Sequence, residues 1–188
     1  MEEEIMEGQS HAPLTLAEYK AELGGTMPEL PDFPVWKDGW DAVLEHPIVN
    51  VSWDDCKAYA DWAGLLLPSE AQWEFAASGG DGRVYPWGKK WDASKCRCST
   101  KTWGDCGGTS AVGSFPAGPF GLVDMAGNVW EWCSDWWDGE QKQRVLRGGS
   151  WLNYNANYFR CAERYGFLPG DRFNDVGFRL SSLPPSAS

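Results

Sequence analysis

Apolar positions recur with a helical period only in the first half of this chain. Trp53, Cys56, Ala60 and Ala63 share one helical face, Ser52 stands ready to cap it, and Gly64 supplies a stop. Ser69 with Gln72 makes a second start, whose helix turns Trp73, Ala76 and Ala77 inward before Gly79-Gly80. Nearer the N-terminus, Thr15 with Glu18 opens a short helix over Leu16 to Leu23, stopped at Gly24-Gly25. From Arg83 to Cys133 the period disappears and Gly, Pro, Trp and Thr dominate, which predicts long ordered loops over a core. Short extended runs at Val129 to Cys133, Arg144 to Leu146 and Val176 to Leu180 predict a small antiparallel sheet late in the chain. The class expected is α+β with short helices and much irregular loop.

Size and charge narrow the picture. With 188 residues, 43% of them apolar, the chain is long enough for one buried core and short for two domains. The division expected is a frayed 1–13, a domain over 14–180 and a flexible Ser- and Pro-rich tail at 181–188. A net charge of −11 argues against nucleic acid, because phosphate-binding surfaces need clustered Lys and Arg. No apolar run approaches the roughly 20 residues that span a bilayer, and the acidic start lacks the basic region of a signal peptide. The chain therefore reads as a soluble, cytoplasmic monomer without membrane insertion, with surface or virion display open if a leader or fusion segment is missing.

The six cysteines, at 56, 96, 98, 106, 133 and 161, follow no zinc spacing, so reduced and mostly buried thiols are expected. Cys96, Cys98 and Cys106 share one Gly-rich loop, which leaves a disulfide or a metal site as the alternative; a fourth ligand is missing, and His11 and His46 are distant in sequence. The thirteen tryptophans read mainly as core-filling rings whose N–H groups bond nearby carbonyls.

The densest functional signal lies between Arg144 and Leu180. Two rigid sequences, Arg-Val-Leu-Arg-Gly-Gly-Ser-Trp and Val-Gly-Phe-Arg-Leu, bracket a segment crowded with Asn, Tyr, Phe, Asp and Gly. Tyr and Phe offer large contact areas at low entropic cost and Asn, Asp and Gly adaptable hydrogen bonds, the mixture that antibody loops favour. No obvious catalytic group lies in the insert.

The blocks His46 to Trp53, Leu67 to Ala77, Tyr85 to Gly88, Phe120 to Trp132, Arg147 to Trp151 and Gly177 to Arg179 resemble, in order, the formylglycine-generating enzyme and sulfatase-modifying-factor family. That resemblance implies a C-type-lectin-like fold. It also implies a copper site built from two cysteines shortly after Gly-Gly-Ser, but Asn153 and Tyr158 stand at those positions. Neither side chain replaces a soft thiolate, and Cys161 matches a structural cysteine of the family. The related iron-dependent sulfoxide synthases use several histidines, against two here. No copper and no catalytic residue are therefore expected.

What remains resembles the variable proteins of diversity-generating retroelements, which display a mutable C-terminal surface on this fold. Randomising the adenines of an AAC codon reaches Tyr, Phe, Leu, Asp, Gly, Ser and Asn but not Lys, Gln, Glu, Met or Trp. Leu152, Asn153, Tyr154, Asn155, Asn157, Tyr158, Phe159, Tyr165, Gly166, Phe167, Leu168, Asp171, Phe173, Asn174 and Asp175 all lie in the reachable set. Glu163 does not, and Arg160, Ala162, Arg164, Pro169 and Arg172 read as the frame between mutable positions, with Trp151 and Phe178 beside it.

Asp124, Gly127, Val129 and Glu131 form a candidate calcium site, because residues 127, 129 and 131 point the same way on an extended segment. Similar positions bind calcium in the formylglycine-generating enzymes; the alternative is a metal-free turn at Asn128 with Glu131 accepting buried N–H groups. Trp130 and Trp132 should then point to the opposite, buried side. A second family calcium site lacks its asparagine, since Lys95, Cys96 and Arg97 occupy that loop. Arg144, Arg147, Arg160, Arg164 and Arg179 read as paired structural cations rather than an anion pocket.

The function expected is a noncatalytic protein displaying a hypervariable ligand-binding surface, its partner a protein. The alternatives are an oxidase of the formylglycine-generating type and a noncatalytic structural or adaptor member of that family.

Overall fold

A computed structural model describes residues 44–182. The helix expected over 15–23, the frayed 1–13 and most of the 181–188 tail lie outside the described residues. Helix α1 spans Trp53–Ala63 and α2 spans Glu70–Ser78. Both begin with reciprocal caps: Ser52 Oγ accepts the Asp55 N–H while Asp55 accepts that of Ser52, and Ser69 and Gln72 repeat the arrangement. Both end where Gly64 and Gly79 turn left-handed, at φ of 68° and 66°.

Four strands follow: β1 (Trp130–Trp136), β2 (Arg144–Arg147), β3 (Arg164–Phe167) and β4 (Val176–Phe178). They form one sheet in the order β3-β2-β1-β4. The β1–β2 and β2–β3 pairs are antiparallel, but β1–β4 is parallel, with Trp132 opposite Phe178. This corrects the all-antiparallel expectation. A parallel neighbour needs a long crossover rather than a hairpin, and the chain between β1 and β4 supplies it through β2, β3 and the following loop. Strand β3 was not among the expected extended runs; Gly166 interrupts its short apolar pattern.

Period-2 alternation places a different layer on each side of the sheet. On one side Cys56 and Ala60 of α1 pack with Trp130, Trp132, Leu146, Val176 and Phe178. On the other, Trp73 and Ala77 of α2 meet Cys133 and Val145. Strand β1 is thus covered on both faces, and Trp130 and Trp132 point away from Glu131 into the core, as the alternation requires.

The α2 side carries a scaffold of ion pairs around one buried cation. Arg147, fully buried, donates to Glu74 at 2.6 Å, to Glu70 at 3.2 Å and to the carbonyls of Ala162 and Cys161. Arg164 grips Glu70 with two bonds of 2.7 and 2.8 Å. Bidentate pairing of this kind fixes geometry as well as charge. Beside it Gly149 (φ 75°) lies so close to the next segment that a Cβ would stand 2.8 Å from the Tyr158 carbonyl oxygen.

Candidate ligand-binding surface

A chain of touching aromatic rings crosses the segment between the two rigid blocks. Trp103 meets Tyr154 and Tyr158, both with centroids 5.7 Å away. Tyr158 meets Trp130 at 6.2 Å, Trp130 meets Tyr165 at 5.8 Å, Tyr165 meets Phe167 at 5.2 Å, and Phe167 meets Phe173 at 4.4 Å. Trp130 is the buried floor of this ribbon, while Trp103, Tyr154, Tyr165 and Phe173 are exposed. Strand geometry explains the middle of the ribbon: Tyr165 is paired with Leu146, which is paired with Trp132, so Tyr165 and Phe167 share the face that carries Trp130 and Trp132.

Polar groups beneath the ribbon hold its backbone. The Ser150 N–H donates to Asn153 Oδ1 at 2.8 Å and its hydroxyl to Asp175 Oδ2 at 2.7 Å. Burial pushes the Asp175 carboxyl above its ordinary range, against the opposing pull of the Ser150 hydroxyl. Trp151 Nε1 donates to the Asn174 carbonyl at 3.3 Å. The loop after the cysteine pair is fastened alongside: Ser99 N–H donates to the Asn153 carbonyl at 2.9 Å and Gly104 N–H to that of Leu152 at 3.1 Å.

The residues expected at the variable surface therefore divide. Tyr154, Asn155, Asn157, Tyr165, Leu168 and Phe173 are exposed. Leu152, Tyr158, Gly166, Phe167, Asp171, Asn174 and Asp175 are half-buried. Asn153 and Phe159 are buried, Asn153 in the Ser150 network and Phe159 stacked on Trp91 at 4.8 Å. These two face the core instead of a ligand, because a window read by composition cannot separate an outward Asn from one that satisfies buried N–H groups. Asn155 caps the 3₁₀ turn Ala156–Phe159, Asp171 accepts the Leu168 N–H, and Gly166 lies under the Trp137 ring. Trp103 joins the site from a loop 51 positions before its ring partner Tyr154. No local signal in the sequence links it to the insert.

Around Glu131 the expected calcium donors are all buried, but a cation already faces the carboxylate. Arg179 donates to both Glu131 oxygens, at 2.5 and 2.7 Å, and Trp73 Nε1 adds a bond of 2.6 Å. Asp124 accepts the Gly113 N–H at 2.7 Å, and burial raises its pKa. Ca²⁺ takes six to eight oxygen ligands, and Asp124, Gly127, Val129 and Glu131 as arranged do not fit it, because a guanidinium neutralises the principal carboxylate. Gly127 has its own reason to be glycine: a Cβ would stand 2.3 Å from the Arg97 carbonyl oxygen.

The cysteines are all unbridged, and only Cys106 is more than marginally exposed. Cys161 shares an apolar cluster with Cys133; burial pushes the Cys161 thiol up to about 11 and that of Cys133 up as well. Among the arginines, Arg147, Arg164 and Arg179 are paired with carboxylates. Arg144 instead lies between the rings of Trp53 and Trp136, 3.7 and 3.4 Å from their centroids. Among the described residues, no group of three or more His, Cys, Asp and Glu side chains is placed to hold a metal, and no helix is long and apolar enough to cross a membrane.

Residues 31–182 match the family model of the sulfatase-modifying factor enzyme 1-like domain. The inactive C-alpha-formylglycine-generating enzyme 2 of Bos taurus is 42% identical over 157 residues, covering 74% of this chain and 51% of its own length. The formylglycine-generating enzyme of Thermomonospora curvata is 38% identical over 170 residues, covering 74% of this chain and 56% of its own. The chain thus spans about half the length of the curated relatives it matches. Among solved structures, Treponema denticola variable protein 1 superposes with a TM-score of 0.71 at 25% identity, covering 92% of this chain and 83% of that one. The fold is C-type-lectin-like, of the formylglycine-generating-enzyme type, and the chain belongs to the sulfatase-modifying factor enzyme 1-like family.

Proposed function

We propose that this chain is a noncatalytic binding protein whose C-terminal surface, diversified by a retroelement, recognises a protein partner. The observation that carries the reading is the aromatic ribbon, which runs through Tyr154, Tyr158, Tyr165, Phe167 and Phe173, all within the window of expected variable positions. Those rings project from a backbone pinned by buried groups that do not depend on them. Similarity to Treponema denticola variable protein 1 supports the same reading.

Family membership alone leaves oxidation of a substrate cysteine as a rival, since active formylglycine-generating enzymes match as well as inactive ones. The side chains count against it. Asn153 and Tyr158 replace the expected thiolate pair, and a thiol titrating at about 11 remains protonated at neutral pH. Incubated with copper, oxygen and a cysteine-containing sulfatase peptide, the protein is expected to yield no formylglycine; turnover would overturn the proposal. Diversification has its own test in the adjoining DNA. A near-repeat of the 152–175 coding segment, differing only at adenines and lying beside a reverse transcriptase gene, is expected, and its absence would remove the retroelement from the account.

A further inference from the structure

The ring ribbon has one corner built differently from the rest. At Trp103, Tyr154 approaches at an interplanar angle of 83° and Tyr158 at 61°, so both tyrosine rings stand steeply to that of Trp103. Trp103 is 55% exposed and Tyr154 43% exposed, which leaves ring area open to solvent. Tyr154 and Tyr158 lie in the variable window; Trp103 does not, and Trp is outside the set that adenine randomisation of an AAC codon reaches.

The Trp103 wall is held firmly. Besides the bonds from Ser99 and Gly104, the Ser99 hydroxyl donates to the Trp151 carbonyl at 2.8 Å and the Cys106 thiol approaches the same oxygen at 3.2 Å. Asp105 accepts the N–H groups of Thr100 and Lys101 at 2.9 and 2.7 Å; these bonds, led by that from Thr100, hold its carboxyl at about 2 and keep it charged. The loop's own charges, Lys101 and Asp105, balance.

We infer that Trp103, Tyr154 and Tyr158 form an aromatic cage for a cationic side chain, arginine or lysine, of the protein partner. Ring faces carry negative electrostatic potential, and steeply inclined rings can turn more than one face toward the same cation. The protein carries a net charge of −11, so a basic partner is also drawn to it at long range. The inference rests on the ligand-binding reading and adds a division of labour: Trp103 is the fixed wall, and diversification at positions 154 and 158 alters the other two.

The probes are a heptapeptide of alternating glycine and arginine and its counterpart with citrulline, which keeps the shape and removes the charge. Binding is read by calorimetry at physiological salt, for the wild type and for Trp103→Ala, with denaturation midpoints confirming that both are folded. The wild type is expected to prefer arginine over citrulline by about tenfold, and Trp103→Ala to bring that ratio close to one. A preference that survives in Trp103→Ala would trace to net charge alone and overturn the cage. Absence of binding by the arginine peptide would overturn it too, whereas the wider binding surface is judged separately by the stability of variants at its exposed positions.

Discussion

The two faces of the sheet are built on opposite rules. On the α2 face each large polar group has specified partners: Arg147 has Glu70, Glu74 and two carbonyls, and Glu131 has Arg179 and Trp73. At the outer end of the other face the neighbours of Tyr154, Tyr165 and Phe173 are further rings, partly open to water. Removing one partner from a buried charge network strands the rest in low dielectric. Removing one ring from the ribbon exposes another ring and strands no charge. A surface diversified as proposed needs both kinds of construction, close together but separated by the sheet.

The largest effect belongs to the core between them. Phe178→Ala empties a buried site next to Trp132 and Leu146, and truncation of a buried aromatic commonly costs about 3–5 kcal/mol. Urea denaturation should show the midpoint falling by a corresponding amount; a change below about 1 kcal/mol would mean that the core is not organised around β4.

Asn153→Ala comes next and sharpens the boundary between frame and surface. It leaves the Ser150 N–H without its 2.8 Å acceptor, and an unsatisfied buried donor costs about 1–3 kcal/mol. If the variant is as stable as the wild type, Asn153 belongs with the display positions after all.

A smaller, pH-dependent effect is expected at Asp175. Its folded pKa is raised by burial, so between the ordinary value of 3.8 and the raised one the native state binds more protons than the unfolded state. The stability contributed by this group is complete below 3.8 and is lost as pH rises through the raised value. Asp175→Asn removes that titration, so its stability relative to the wild type should improve as pH rises through the window. A difference that stays constant from acid to neutral pH would show that the carboxyl is not held protonated by the fold.

Much of this division could be read from the chain. Ser52, Gly64, Ser69, Gln72 and Gly79 mark both described helices because capping is local chemistry, decided within four residues. The alternation Trp130-Glu131-Trp132 announced a strand with rings on one side and a carboxylate on the other. Long-range pairing was not legible. Arg179 reaches Glu131 across 48 positions, and nothing near either residue distinguishes a guanidinium partner from a calcium ion. The parallel β1–β4 pair likewise follows from where the chain returns, which no strand pattern encodes. Trp103 joins the ribbon only because the Ser99–Cys106 stretch is fastened to residues 151–153, and those bonds are mostly made by backbone groups common to every residue.

The most direct test of the central claim combines Tyr154→Ser, Asn157→Ser, Tyr165→Ser and Phe173→Ser in one protein and measures its denaturation midpoint beside that of Phe178→Ala. Exposed substitutions typically change stability by within about 0.5 kcal/mol each, so the pooled variant is expected to unfold in a single transition near the wild-type midpoint, while Phe178→Ala falls well below it. If the pooled variant unfolds first and Phe178→Ala stays near the wild type, the 152–175 segment is core rather than a display surface, and the binding function proposed for it fails.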